Sequence, residues 1–147
     1  GRLGRRRRGL RGAALSVLLD THLWIWWLTG DPRLRAVERD ALDAAAQRRE
    51  LGISAISLWE AQMLHAKRRL ELPIPFGRWL GLAADPRAVS VLPLDVDVVL
   101  ALDAPPAGFH GDPADRVIVA TCRAHGTALA TRDASIRRSR SVRLWKP

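Results

Sequence analysis

Four short runs, SVLLD, LGIS, VSVLPL and TALATRD, are apolar, rich in β-formers and separated by stretches with helical spacing. Strands alternating with helices cannot pair as hairpins; each crosses back over the sheet, giving parallel pairing with helices on both faces. Runs covered on both faces stay apolar instead of alternating. In such sheets ligands sit beyond the carboxyl ends of the strands, at the switch point in strand order.

The intervening segments read as helices. THLWIWWLTG turns helical directly after Asp20 and stops at Gly30, and DPRL starts the next helix with Pro32 at its first position. Leu34, Val37, Ala41, Leu42 and Ala45 recur at helical spacing among charges, an amphipathic helix over 33–49. AISLWEAQMLHAKRRL is a helix with Ile56, Trp59, Met63 and Leu64 on one side. Lys67, Arg68 and Arg69 close it, where the helix dipole favours cations. FGRWLGLAAD and DVDVVLALD are short helices, and PPAGFHGDPA, dense in Pro and Gly, is a loop. ADRVIVATCRAHG is a helix apolar nearly all round, hence buried, closed by Gly126. SVRLW is a fifth strand. There is no internal repeat and no linker, so residues 15–147 read as one domain.

Charge sits unevenly on this frame. Of the net +9, six charges come from Arg2, Arg5, Arg6, Arg7, Arg8 and Arg11, leaving about +3 for residues 16–147. Residues 1–14 read as a disordered basic arm, either a weak nucleic-acid contact or an artefact of an upstream start. The arm and the apolar run after it do not make a membrane anchor. The run is shorter than the ~20 residues a span needs. Asp20 interrupts it at a cost of about 2.5–3.5 kcal/mol on insertion scales, and TGDP follows it instead of a cleavage site. The one cysteine, Cys122, excludes an internal disulfide and a cysteine zinc cage, and reads as a small core residue of a cytoplasmic protein. Trp24, Trp26, Trp27 and Trp59 read as core or interface area.

Asp20 ends the first strand and Asp133 leaves the fourth, so both project from the sheet's carboxyl edge. Glu60 lies about one and a half turns beyond the second strand, and Asp115 lies on the first turn of the buried helix, with Asp112 three residues earlier. Two unit charges ~4 Å apart repel by about 4 kcal/mol at an effective dielectric of 20. A cluster of this kind persists when protonated, paired with arginine, or neutralised by a divalent cation. Hard oxygen donors suit Mg²⁺ or Mn²⁺, and such an ion supports attack on a phosphodiester. Each acid also has a plainer reading. Ser57 and Glu60 fit a capping box, Asp112 an N-cap before Pro113, Asp115 the first-turn position, and Asp133 and Asp20 caps of the helices that follow. Convergence of the acids is what separates the two readings. His22, His65, His110 and His125 have no zinc spacing, and His110 flanks the acidic loop in a position to orient it.

These residues resemble the PIN-domain ribonucleases of the VapC toxin family, over about residues 16–145. LLDTHLWIWWL, ISAISLWEAQML and FHGDPADRVIVATCRAHGTALATRD carry the resemblance, in that order and spacing. It implies an α/β, Rossmann-like three-layer sandwich whose parallel sheet of about five strands runs 3-2-1-4-5, setting the ends that carry Asp20 and Asp133 side by side. It implies Mg²⁺- or Mn²⁺-dependent endonucleolytic cleavage of RNA. Asp20, Glu60, Asp115 and Asp133 match the family's acidic quartet. Asp20 and Asp115 would be the main metal ligands, with Glu60 and Asp133 holding metal-bound waters or a second cation. Asp112 matches the extra acid of the DPxDR subgroup. Thr21 and Thr131 would orient ligands, and Arg116 would pair with an acid or a phosphate. The resemblance further implies a homodimer and a cognate VapB-like antitoxin that masks the site. The arginine-rich start is extra to the family pattern.

Two other classes remain open on the residues alone. A receiver-like or phosphoryl-transfer domain would use a strand-end aspartate, but the position two after Asp20 is His22 and the only late lysine is Lys146. A non-catalytic, basic nucleic-acid- or partner-binding domain would use its acids only as caps.

Overall fold

The computed structural model describes residues 14–104, 109 and 111–147. The expected basic arm, apart from Ala14, and His110 therefore lie outside the described residues. The elements are β1 (Val17–Leu19), α1 (Thr21–Thr29), α2 (Ala36–Gln47), β2 (Leu51–Ser54), α3 (Ala55–Ala66), α4 (Phe76–Ala83), β3 (Ser90–Leu92), α5 (Val96–Asp103), α6 (Pro113–His125), β4 (Ala128–Ala130) and α7 (Ala134–Ser139). All strand pairings are parallel and the order is β3-β2-β1-β4. Leu18 lies opposite Gly52 on one side and Leu129 on the other.

The expected fifth strand is a single parallel bridge, Leu129 to Leu144. Leu129 N donates to Arg143 O at 2.8 Å and Trp145 N to Leu129 O at 2.9 Å, extending the order beyond β4 by one pairing. SVRLW has Arg143 between Val142 and Leu144, and only Leu144 is bridged to β4.

Side-chain alternation along β1 builds the two cores. Val17 and Leu19 face one side, against Leu23, Trp24 and Ile25 of α1, Leu42 of α2, Ala61 of α3 and Trp79 of α4. Leu18 faces the other, with Leu92, Phe109, Ile118, Val119, Cys122, Leu129 and Ile136. The result is a three-layer sandwich, and Cys122 is a core residue as its setting in the sequence suggested. Gly30 and Gly126 end α1 and α6 in the left-handed conformation, at φ 69° and 67°, where a side chain would be strained. Among the described residues no helix is long and apolar enough to cross a membrane.

Two sequence expectations are corrected. DPRL does not begin a helix: Asp31 Oδ1 accepts from Arg33 N at 2.8 Å, a side-chain turn that competes with helix, and α2 starts at Ala36. Trp59 is 53% exposed, so it does not share an inner face with Ile56 and Leu64, which are half-buried against the two cores. Ser57 and Ala61 are the buried ones, and their small size lets α3 lie close to α1 and β2.

Candidate functional site

Asp20 follows β1 at once, and its N–H donates to Ala130 O at 3.0 Å, tying the carboxyl ends of β1 and β4 together. Its Oδ1 accepts from Leu23 N at 2.9 Å, capping α1. Beyond β4, the buried Thr131 hydroxyl accepts from Asp133 N at 3.0 Å and is hydrogen-bonded to the Asp20 carboxyl. A hydroxyl has one proton, so a Thr131 that accepts from the N–H donates to Asp20. Asp133 Oδ1 caps α7 by accepting from Ile136 N at 2.8 Å. Asp112 Oδ1 caps α6 by accepting from Asp115 N at 2.8 Å, with Pro113 in the first helical position. Capping is thus real for Asp20, Asp112 and Asp133, and it occupies the Oδ1 of each.

Glu60 is not part of a capping box. α3 begins one turn earlier than that reading requires, with Ser54 as its cap, its Oγ accepting from Ile56 N at 3.2 Å. Ser57 is therefore inside the helix, fully buried, with its Oγ 2.9 Å from Thr21 Oγ1. Thr21 Oγ1 donates to Glu60 Oε1. Since that uses the threonine's only proton, Ser57 is the donor to Thr21. The relay Ser57–Thr21–Glu60 fixes Glu60 from two helices. Sequence reasoning considered Ser57 only as a cap; the usable signal was its spacing of three from Glu60, which puts both on one helical face.

Burial pushes the Asp20 carboxyl above the ordinary aspartate range, against the hydrogen bonds from Thr131 and Leu23, and the Asp133 charge adds to the rise. Burial likewise raises Glu60, reinforced by the charges of Asp112 and Asp20 and opposed by Thr21. Asp115 is pushed up to about 7, first by burial and then by Asp112, Asp133, Glu60 and Asp20. The five acids therefore share one region at the carboxyl edge of the sheet. The Asp115 carboxyl accepts no hydrogen bond from the described residues, whereas Glu60 and Asp133 are held through Oε1 and Oδ1 only.

The donor set is hard oxygen throughout. Among the described residues no three His, Cys, Asp or Glu side chains converge as a ready ligand cage. Mg²⁺ does not require one: it dehydrates reluctantly and is commonly held by one or two carboxylates, its remaining positions filled by water. An unpartnered, partly buried Asp115 facing four other acids fits such an ion.

Arg116 is exposed on α6 and lines a small apolar recess with Leu102, Phe109 and Arg123. No ion pair ties it to the acids among the described residues. At the end of β4, Arg137 Nη1 donates to Thr131 O at 3.1 Å, and a second cation, Arg132, stands beside Asp133. It donates to the buried Glu38 of α2 and to Arg33 O, joining the start of α2 to the end of β4. Burial of Glu38 is outweighed by its bonds from Arg35 and Arg132, which hold its carboxyl below the ordinary range.

A family model, PIN domain, matches residues 17–140. Over 129 residues the chain is 39% identical to Ribonuclease VapC22 of Mycobacterium tuberculosis (strain ATCC 25618 / H37Rv), covering 87% of this chain and 95% of that protein. Among solved structures it is similar to VapBC2 from Rickettsia felis bound to a DNA fragment from their promoter (TM-score 0.66, 15% identity, 89% of this chain and 98% of that one). It is also similar to FitAB bound to an IR36 DNA fragment (TM-score 0.63, 21% identity, 88% of this chain and 93% of that one). At these identities the two structures speak for the fold.

Proposed function

The chain belongs to the PIN-domain family and is a homologue of the VapC ribonucleases; from that premise we propose that it is the toxin of a toxin–antitoxin pair, a divalent-cation-dependent endoribonuclease acting through Asp20, Glu60, Asp115 and Asp133. The observation that carries this reading is the Asp115 carboxyl, unpartnered among the described residues and raised to about 7 by burial and four neighbouring acids. Caps explain three of those acids and the first turn of α6 favours Asp115, but neither accounts for Glu60 or for the gathering of the acids. A cation explains all five.

Asp20 and Asp115 would hold Mg²⁺ or Mn²⁺, with Glu60 and Asp133 reaching it through water and Asp112 adding negative charge at the rim. Such an ion, when bound, neutralises the pocket, shields phosphate oxygens and lowers the pKa of a water in its shell. Thr131 holds the Asp20 carboxyl and Thr21 holds Glu60, so neither has to be ordered during the reaction. Glu60, its carboxyl above the ordinary range, is the group suited to take a proton from the attacking water.

The partners follow from the same reading: RNA as substrate, and a VapB-like antitoxin of the sort named with the structural neighbours. A homodimer is supported by Val96, Val99 and Leu100, an exposed apolar line on α5.

An RNA cleavage assay tests the mechanism. Wild type is expected to cut RNA with Mn²⁺ or Mg²⁺ and to stop in EDTA. Asp20→Asn is expected to fold, because Asn caps a helix as well as Asp does, and to cleave nothing. Full cleavage by that variant, or by wild type in excess EDTA, would refute the proposal.

A further inference from the structure

We propose that His22, Trp26 and Arg33 form a stacking strip that holds an unpaired base of the RNA beside the acidic pocket. This rests on the ribonuclease reading and names what the pocket's flank recognises. The strip starts two residues from Asp20. The His22 side chain is exposed, and it lies close enough to Asp20 and Glu60 for its charge to lower both carboxyls. One turn along α1, the Trp26 ring centroid is 6.0 Å from that of His22, with the planes tilted by 51°. The Arg33 guanidinium carbon lies 4.7 Å from the centroid of Trp26.

Arg33 is not a loose surface charge. Its Nη2 and Nε donate to Asp31 Oδ2 and Oδ1 at 2.7 and 3.1 Å, and its backbone N–H donates to Asp31 Oδ1 at 2.8 Å. Its carbonyl accepts from Arg132 Nη2 at 3.3 Å, one residue from Asp133. The strip is thereby attached to the catalytic edge at both ends, through His22 and through Arg132. Because Asp31 neutralises Arg33, what the guanidinium offers a ligand is its plane and not its charge. Rings and guanidinium planes in a row beside a phosphodiester-cleaving centre match the chemistry of single-stranded RNA, whose unstacked bases lie on aromatic and arginine faces. A phosphate clamp would instead present an unneutralised cation.

The test separates binding from cleavage. Short single-stranded RNA is titrated by fluorescence anisotropy, in EDTA and at several salt concentrations, against protein carrying Asp20→Asn. His22→Ala, and separately Asp31→Asn with Arg33→Gln, are added to that background. The second combination leaves net charge unchanged. His22 and Arg33 are exposed, Asp31→Asn keeps the side-chain oxygen that accepts from the Arg33 N–H, and circular dichroism checks folding. Each change is expected to weaken binding about fivefold or more, with no change in the slope of log affinity against log salt. An RNA carrying one abasic ribose, moved along the sequence, is expected to show one position where the loss in the unmodified strip disappears in the variants. Equal affinities overturn the proposal and leave the strip to a protein partner. A slope lowered by about one also overturns it, in favour of a phosphate contact. Strip-dependent binding by a wild type that cleaves nothing would uphold the strip while defeating the ribonuclease reading.

Discussion

Asp115 differs from its neighbours in having no donor among the described residues to stabilise its charge. In the cation-free protein it titrates at about 7, and in the unfolded chain it returns to about 4. Between those values the folded protein keeps a proton that the unfolded chain has released. The stabilisation is complete below about pH 4 and lost as pH rises through about 7. Asp20 and Glu60, raised chiefly by burial, act in the same direction. Asp31 and Asp85, held at about 2 by Arg33 and Arg87, matter only in stronger acid. In EDTA the protein is therefore expected to lose thermal stability between about pH 5 and pH 8. Asp115→Asn, with no proton to lose, is expected to flatten that profile and to melt above wild type at pH 8. Calorimetry decides it: a wild type that gains stability over this range, or a variant that melts lower at pH 8, contradicts a shared pocket.

Helices α1 and α3 meet at the Thr21–Ser57 hydrogen bond, a contact between residues 36 apart in the chain. Ser57→Ala would leave a buried Thr21 hydroxyl without its donor, costing about 0.5–1.5 kcal/mol. It would also loosen Glu60, lowering kcat roughly tenfold or more while KM for RNA changes little. Thr21→Ser, which keeps the hydroxyl bridging Ser57 and Glu60 and adds no volume, should keep most of kcat. Steady-state kinetics with urea melts separate this from a packing effect, which would shift stability and spare kcat. This link also marks the limit of what spacing reveals. The strand-end acids were legible because Asp20 and Asp133 each close an apolar run, and parallel topology sends both ends to one edge. The Thr21–Ser57 bond and the Glu38–Arg132 tie, 94 residues apart, have no local signature. The start of α2 was misplaced for a physical reason: the Asp31 side chain engages the Arg33 backbone, so Pro32 serves a turn. On α3 only Trp59 stands outward against expectation; Ile56 and Leu64 pack against the cores, and close packing puts the small Ser57 and Ala61 at the centre of the buried face.

The molecule tolerates five acids in one region because of how the whole sheet is laid out. Every strand runs the same way, so α1, α6 and α7 begin at the same edge, and Asp20, Asp112 and Asp133 are their caps. Three helix N-termini, each with partial positive charge, offset part of the repulsion. The offset is incomplete, as Asp115 shows. A divalent ion that completes it must stabilise the folded state, because the unfolded chain scatters the five acids. The gain is about 2.7 kcal/mol when the ion is at a hundred times its dissociation constant, or roughly 5–10 °C in Tm for a chain of this size. Protons compete for the same oxygens, so Mn²⁺ or Mg²⁺ should raise Tm more at pH 8 than at pH 6, with EDTA reversing the effect. The shift should vanish in Asp115→Asn even though that variant starts from a higher Tm. Thermal melts at matched ionic strength check this without any RNA present. No shift at pH 8 with millimolar Mn²⁺, or an equal shift in the variant, would mean that the acids do not act together on an ion.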